Sequence, residues 1–282
     1  MKKFFKFLNL KNINKYFIFI LLNFIKIIKK LKFVYSRTKI KNKNIKILNN
    51  FCSFVQKKLN TKVFNSKKMI LMDSCSIPSY IITNLILSSE LKNLMKVNVF
   101  TYDINPRDEI MEKIMTSFNA KHLKIKLNYI QKKKLQILFI LLASRVKNKN
   151  DLFKLKINNI KIGIDIYETI LKNRNPTVIF GTLEMYQKFY LALEYYIFFN
   201  DLFKKKQISA LCLSDNNYIS TGIIAKLAYR YSVPVFHANE REINRTEKEF
   251  QLHSRFKRYK KYFNNLSKFK KKKSSLKIKK IT

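Results

Sequence analysis

Glycine is almost missing from this chain. Its 282 residues include only three, Gly163, Gly181 and Gly222, together with four prolines and no tryptophan. Average proteins carry roughly 7% glycine and about 5% proline. The scarcity excludes collagen-like, glycine-rich and proline-rich architectures. It also excludes a GxGxxG or Walker phosphate loop, which needs clustered glycines so that backbone can approach a phosphate. Cysteine is scarce too. Cys52, Cys75 and Cys212 lie far apart and form no CxxC pair, so neither a zinc site nor a disulfide framework is indicated. Cys75 and Cys212 adjoin apolar runs and read as small core residues, and a reducing, cytoplasmic setting follows. No HxH or DxD spacing occurs. The expected site therefore works without a metal.

Acidic residues are missing from both ends. Residues 1–72 hold 19 Lys/Arg and no acid, and residues 255–282 hold 13 Lys/Arg and no acid. All 17 acidic residues lie in 73–254. The abundance of Lys, Asn, Ile, Phe and Tyr is what an AT-rich coding sequence produces, and part of the +42 net charge has that origin. Uniform drift would not strip both ends of every acid, however. The chain reads as a basic, partly helical arm (1–66), a middle domain (67–254) and a lysine-rich tail (255–282). Such ends suit an anionic surface, either membrane headgroups or nucleic acid. Nucleic acid is disfavoured. No helix-turn-helix, zinc-finger, KH or RRM signature is visible, and Lys outnumbers the Arg preferred for base readout.

Long apolar runs are missing as well. The arm's Tyr16–Ile25 run is about ten residues long and closes at Lys26, Lys29, Lys30 and Lys32. A membrane span needs about 20 apolar residues. An interfacial helix with Phe and Ile buried and Lys at the headgroups fits, as does a helix packed on the protein's own core. The 47% hydrophobic content is enough to bury a core, so the chain is not a disordered basic tail.

The middle alternates short apolar runs with helical patterns. Strands are expected at Met69–Asp73, Val97–Asp103, His122–Leu127, Ile208–Leu213 and Val233–His237. Helices are expected from Ile77 to Met95 with Pro78 in the first turn, from Pro106 through Phe118, over about 128–146 and 177–205, and at Thr221–Tyr231. Apolar strands separated by helices imply an α/β fold, a Rossmann-like doubly wound parallel sheet covered on both faces. In such sheets ligands bind beyond the C-terminal strand ends. The polar residues gathered there are Asp73, Ser74, Asp103, Asp215, Asn216, Asn217, His237, Asn239 and Glu240.

Two stretches stand out. The first runs Ile160-Lys161-Ile162-Gly163-Ile164-Asp165-Ile166-Tyr167-Glu168-Thr169-Ile170-Leu171. The second holds Leu213-Ser214-Asp215-Asn216-Asn217-Tyr218, Gly222, Ala225-Lys226-Leu227-Ala228 and Val233-Pro234-Val235-Phe236. The combination resembles bacterial surface-carbohydrate and capsule polysaccharide biosynthesis proteins, which are similar to two-lobed GT-B glycosyltransferases. That family shows a Gly-Asp-Leu-Ile-Tyr-Asp-like stretch, then a strand ending in a Ser-His-x-x-Tyr-like loop, a helix and a Gly-x-Pro-Val strand. This chain departs from it at Ile164, at Glu168, at Asp215 in place of His, and at Ser232 in place of Gly.

The resemblance implies one lobe of a sugar-transferring enzyme, with an acceptor held in a Rossmann-like domain. No cofactor is implied; the donor would be a nucleotide-sugar substrate. Two lobes need about 350 residues, and only 42 follow Glu240. A truncated or split protein is the expectation, with a partner chain supplying the nucleotide-sugar lobe and a glycan or lipid-linked molecule as acceptor. The setting would be cytoplasmic, peripheral on the inner face of the membrane. The chemistry needs a general base for the acceptor hydroxyl as a diphosphate leaves. Asp165, Glu168 and His237 are the candidates for catalysis. Tyr167, Asp215, Asn216, Tyr218, Glu240 and Arg241 are candidates for substrate binding. The competing roles for these residues are helix caps, a satisfied structural histidine and a solvated charged loop. The competing functions are a non-catalytic membrane-surface scaffold and a nonspecific nucleic-acid-binding protein.

Overall fold

The computed structural model describes residues 42–58, 63–74, 78–102, 109–172, 177–238 and 243–246. All of these belong to the first of two compact units, Met1–Glu247. The chain begins its described part with helix α1 (Asn42–Lys58). It continues through β1 (Met69–Asp73), α2 (Pro78–Met95), β2 (Asn98–Tyr102), α3 (Glu109–Ser117) and β3 (Lys121–His122). Helices α4 (Tyr129–Ala143) and α5 (Lys149–Lys154) follow. Next come a small hairpin of β4 (Lys156–Ile157) and β5 (Ile160–Lys161), then α6 (Gly163–Leu171) and the long α7 (Leu183–Lys204). The last elements are β6 (Ile208–Leu213), α8 (Gly222–Arg230), β7 (Val235–Ala238) and β8 (Ile243–Thr246).

Six strands form one sheet in the order β3-β2-β1-β6-β7-β8. The first five run parallel, and β8 runs antiparallel to β7. Helices cover both sides, an arrangement compatible with a Rossmann-like fold. The sheet reverses its winding at β1. From there the chain adds β2 and β3 on one side, then crosses back to place β6 on the other. The crevice between the C-terminal ends of β1 and β6 is thus the topological switch point.

Side-chain alternation along the strands divides the core in two. Met69 and Leu71 of β1, with Leu211 and Leu213 of β6, face a large cluster built by α4, α6, α7 and α8. Ile70 and Met72, with Ala210 and Cys212, face a smaller one against α1, α2 and α3. Both faces of β1 are buried, which is why that strand reads as an uninterrupted apolar run. Helix α7 anchors the large cluster. Tyr195 and Phe199 pack edge-on to Tyr102 of β2 and tilted against each other, at ring separations of 5.1–6.4 Å. Side chains cap the helices. Asn128 and Gln131 make a capping box on α4, and Asn148 and Asp151 make another on α5.

The glycine shortage leaves a mark at the other helix ends. Helices α2, α3, α7 and α8 each end with one residue in the left-handed region: Lys96, Asn119, Lys206 and Ser232, with φ between 52° and 56°. At α8, Ser232 N–H donates to the Tyr229 carbonyl and Val233 N–H to the Ala228 carbonyl. That pair of bonds is a Schellman motif, whose usual occupant at this position is glycine.

The structure corrects three expectations. The sheet is not wholly parallel, because β8 returns as an antiparallel edge. The strand expected at His122–Leu127 is only Lys121–His122; its partner β2 ends at Tyr102, so the alternation beyond Leu123 has no strand to pair with. The helix expected over 177–205 starts at Leu183, where the Thr182 side chain accepts from the Met185 N–H. The Tyr16–Ile25 run and the tail lie outside the described residues. Among the described residues, no helix is long and apolar enough to cross a membrane.

Candidate functional site

The switch point carries a cluster of polar groups at the ends of three neighbouring strands. Asp73 ends β1 and is only 5% exposed. Its carboxylate accepts from the Ser214 N–H at 2.9 Å and from the Ser214 hydroxyl, which tie the ends of β1 and β6 together. Burial pushes the Asp73 carboxyl up to about 7; the Ser214 hydroxyl opposes the shift and the nearby Asp215 charge adds to it. Ser74 donates to the Tyr102 carbonyl at 2.9 Å, and the Tyr102 hydroxyl donates to the Ser220 carbonyl at 2.9 Å. The strand-end loops are therefore cross-linked before any ligand arrives.

Asp215 opens the loop after β6. Its Oδ1 accepts from the Asn217 N–H at 3.1 Å and from the Thr221 hydroxyl, a local turn of the kind short acidic side chains favour. Asn216, Asn217 and Tyr218 follow, all half-buried. His237 stands on β7 opposite Leu213. Its environment holds its pKa below the usual imidazole value: burial dominates, while the Asp215 charge and a hydrogen bond to the Leu213 backbone work the other way. Two buried atoms here have no hydrogen-bond partner, His237 Nε2 and Asn217 Oδ1. With Nε2 unpartnered, a neutral ring carrying its proton on Nδ1 would present a bare lone pair there.

A second group of residues lies where α6 meets α8. Asp165, in the first turn of α6, is 1% exposed. It pairs with Lys226 Nζ at 2.6 Å, and that ammonium also donates to the Lys161 carbonyl at 2.8 Å. Burial pushes the Asp165 carboxyl up to about 7 against the pull of Lys226. The Thr169 hydroxyl oxygen accepts from the Ile219 N–H at 3.0 Å. A Cβ added to Gly222 would sit 2.1 Å from Asp165 Oδ1 and 2.9 Å from the Asn216 carbonyl oxygen. Helix α6 and the loop after β6 are thus in close contact, and Gly222 is the position that permits it. Lys172, just beyond α6, lies 4.1 Å over the Tyr218 ring.

The structure brings some of the sequence candidates together and separates others. Asp215 and His237, with Asn216 and Tyr218 in the intervening loop, belong to the strand-end cluster. Asp165 sits behind that loop in its ion pair. Glu168 is half-buried one turn along α6, close enough for its charge to act on Asp165. Tyr167 faces elsewhere, edge-on to Phe153 at 5.1 Å and beneath Lys149. Asp103, Asn239, Glu240 and Arg241 lie outside the described residues. Sequence reasoning assigned no role to Ser214, Thr221 or Lys226. Lys226 carried a usable signal: a lysine enclosed by Ile223, Ile224, Ala225, Leu227 and Ala228 has to find a buried partner. Among the described residues, no group of three or more His, Cys, Asp or Glu side chains could hold a metal ion.

Comparisons of the chain with protein-family models, with curated proteins and with solved structures find no match.

Proposed function

We propose that this chain is a glycosyltransferase-like lobe of the acceptor-binding type, acting in bacterial surface or capsular polysaccharide assembly. The observation that carries the reading is the unpartnered His237 Nε2 on β7, next to β6 and within reach of the Asp215 charge. A buried neutral imidazole with a bare nitrogen is suited to accept a proton from a hydroxyl at neutral pH. Asn217 Oδ1 offers a second empty acceptor in the same loop region. Two acceptors fit a ligand with several hydroxyls, as a sugar has. The resemblance of residues 160–171 and 211–236 to surface-carbohydrate proteins points the same way.

In this reading an acceptor hydroxyl donates to Nε2. As its oxygen attacks the anomeric carbon of a nucleotide-sugar, the proton passes to the imidazole. The bond from that carbon to the diphosphate breaks, and a nucleoside diphosphate leaves with the electron pair. The Asp215 carboxylate stabilises the imidazolium so formed. The Asp165 carboxylate is already taken up by its ion pair with Lys226, and we assign both residues to positioning the loop. A second lobe would hold the nucleotide-sugar donor.

Ligand-observed NMR and calorimetry with glycans and nucleotide-sugars test the proposal. Binding is expected for a hydroxyl-rich acceptor and is expected to fall at least tenfold in His237→Ala with an unchanged circular dichroism spectrum. No binding to any member of the panel, with neighbouring gene products added, overturns it. Glycan binding without transfer under all donor conditions would instead assign the scaffold role.

A further inference from the structure

Helix α4 buries one side and leaves the opposite side apolar. Leu135, Phe139 and Ala143 pack into the large core, with the Phe139 ring edge-on to Tyr186, Phe189 and Tyr190 of α7 at 5.8–6.2 Å. On the outward side, Ile130, Ile137 and Leu141 are 77%, 57% and 50% exposed. Their spacing of seven and four residues puts them in one line along the helix. Exposed Lys133 and Lys134 lie on the same side. A soluble helix presents charge on that side; this one presents isoleucine and leucine among lysines.

The surrounding charge is of one sign. Residues 113–150 contain ten Lys/Arg and no acid. Lys124 and Lys126 before the helix are exposed, as are Arg145, Lys147 and Lys149 after it. No other acid-free stretch of this kind occurs within the acid-bearing middle of the chain, and it coincides with the helix that exposes branched aliphatic side chains. A protein partner would have to neutralise this collar with carboxylates around a narrow apolar line. An anionic bilayer provides both elements at once, phosphates at headgroup depth and acyl chains below.

We infer that the outward face of α4 is a docking surface for an anionic phospholipid bilayer, with Ile137 and Leu141 entering the acyl region and Lys133 and Lys134 meeting lipid phosphates. The inference does not depend on the glycosyltransferase reading. It assigns membrane contact to a face of the folded domain, in addition to any contact made by the basic arm.

The absence of tryptophan makes a specific test possible. In the full chain, Ile137→Trp introduces the sole tryptophan and reports directly on this face. With vesicles of phosphatidylglycerol and phosphatidylcholine, its emission is expected to shift to the blue and to be quenched by lipids brominated in the acyl chain. Leu94→Trp, at an exposed position of α2, is the control and is expected to show neither change. Replacing Lys133 and Lys134 by Glu in the Ile137→Trp chain is expected to weaken partitioning at least tenfold at low salt, with circular dichroism checking the fold. The inference is overturned if the Ile137→Trp chain floats with anionic vesicles while its emission stays unshifted and unquenched. It is equally overturned by a blue shift that follows protein concentration without lipid, which would mark contact between two copies.

Discussion

Two buried carboxylates a few elements apart show how partners decide what an acid does. Asp73, at the β1–β6 crevice, and Asp165, in the α6–α8 contact, are both raised to about 7, and in both cases burial is the main cause. Their partners differ. Asp73 is held by a neutral hydroxyl and a backbone N–H of Ser214, so it can take or lose a proton while its bonding geometry changes little. Asp165 faces an ammonium that is itself largely buried. Losing either member strands a charge in a low-dielectric interior. The crevice therefore keeps its hydrogen-bond geometry on titration, whereas the contact between α6 and α8 depends on its charge balance.

The largest expected effect comes from breaking the ion pair. Lys226→Met leaves Asp165 without its cation and is expected to cost about 3–5 kcal/mol in urea denaturation at pH 8. At pH 5 the stranded carboxyl takes a proton, so the loss should be clearly smaller. Equal losses at both pH values would show that the pair is not what holds α6 to α8.

Next is the crevice acid. The folded pKa of Asp73 lies above its unfolded value of 3.8. Its favourable contribution is therefore complete below about pH 4 and is lost as pH rises toward and through 7. Asp73→Asn removes that titration. The stability of the variant relative to the parent is expected to improve by up to about 4 kcal/mol from pH 4 to pH 8, at 1.36 kcal/mol per pKa unit. A difference that does not change with pH would place Asp73 in contact with solvent.

Gly222→Ala tests the close approach. The added methyl meets Asp165 Oδ1 and the Asn216 carbonyl, and a loss of about 1–3 kcal/mol in thermal or urea unfolding is expected. A neutral outcome would mean that α6 and the loop have room to move apart. The smallest effect has the opposite sign. Ser232→Gly relieves a left-handed residue at φ 55° and is expected to stabilise by about 1 kcal/mol, without altering either carboxylate.

The legible parts of the fold are those with strong local signals. Met69–Asp73 and Ile208–Leu213 are short runs that are apolar but for Asp73 and Ser209, and both are buried central strands as expected. The Pro78 start and the helical spacing from Ile110 onward located α2 and α3 to within a few residues. Strands β4, β5 and β8 were illegible. The first two are two residues each, and β8 (Ile-Asn-Arg-Thr) carries no apolar run, since an edge strand has fewer faces to bury. At the site, the rule that ligands gather at strand ends selected Asp73, Asp215, Asn217 and His237. It gave no means of pairing Asp165 with Lys226, which lie 61 residues apart.

The sequence by itself determined the alternation of strands and helices, the acid-free ends and the small set of polar residues that follow apolar runs. These are local properties, written in periodicity and composition. Only the tertiary structure decided which strand ends meet and which carboxylate receives a cation. It alone left a histidine nitrogen bare and turned an apolar line of α4 outward. Those outcomes depend on the crossover that sets β6 beside β1, because contacts between distant residues arise from how the sheet is wound and not from the residues on either side of them.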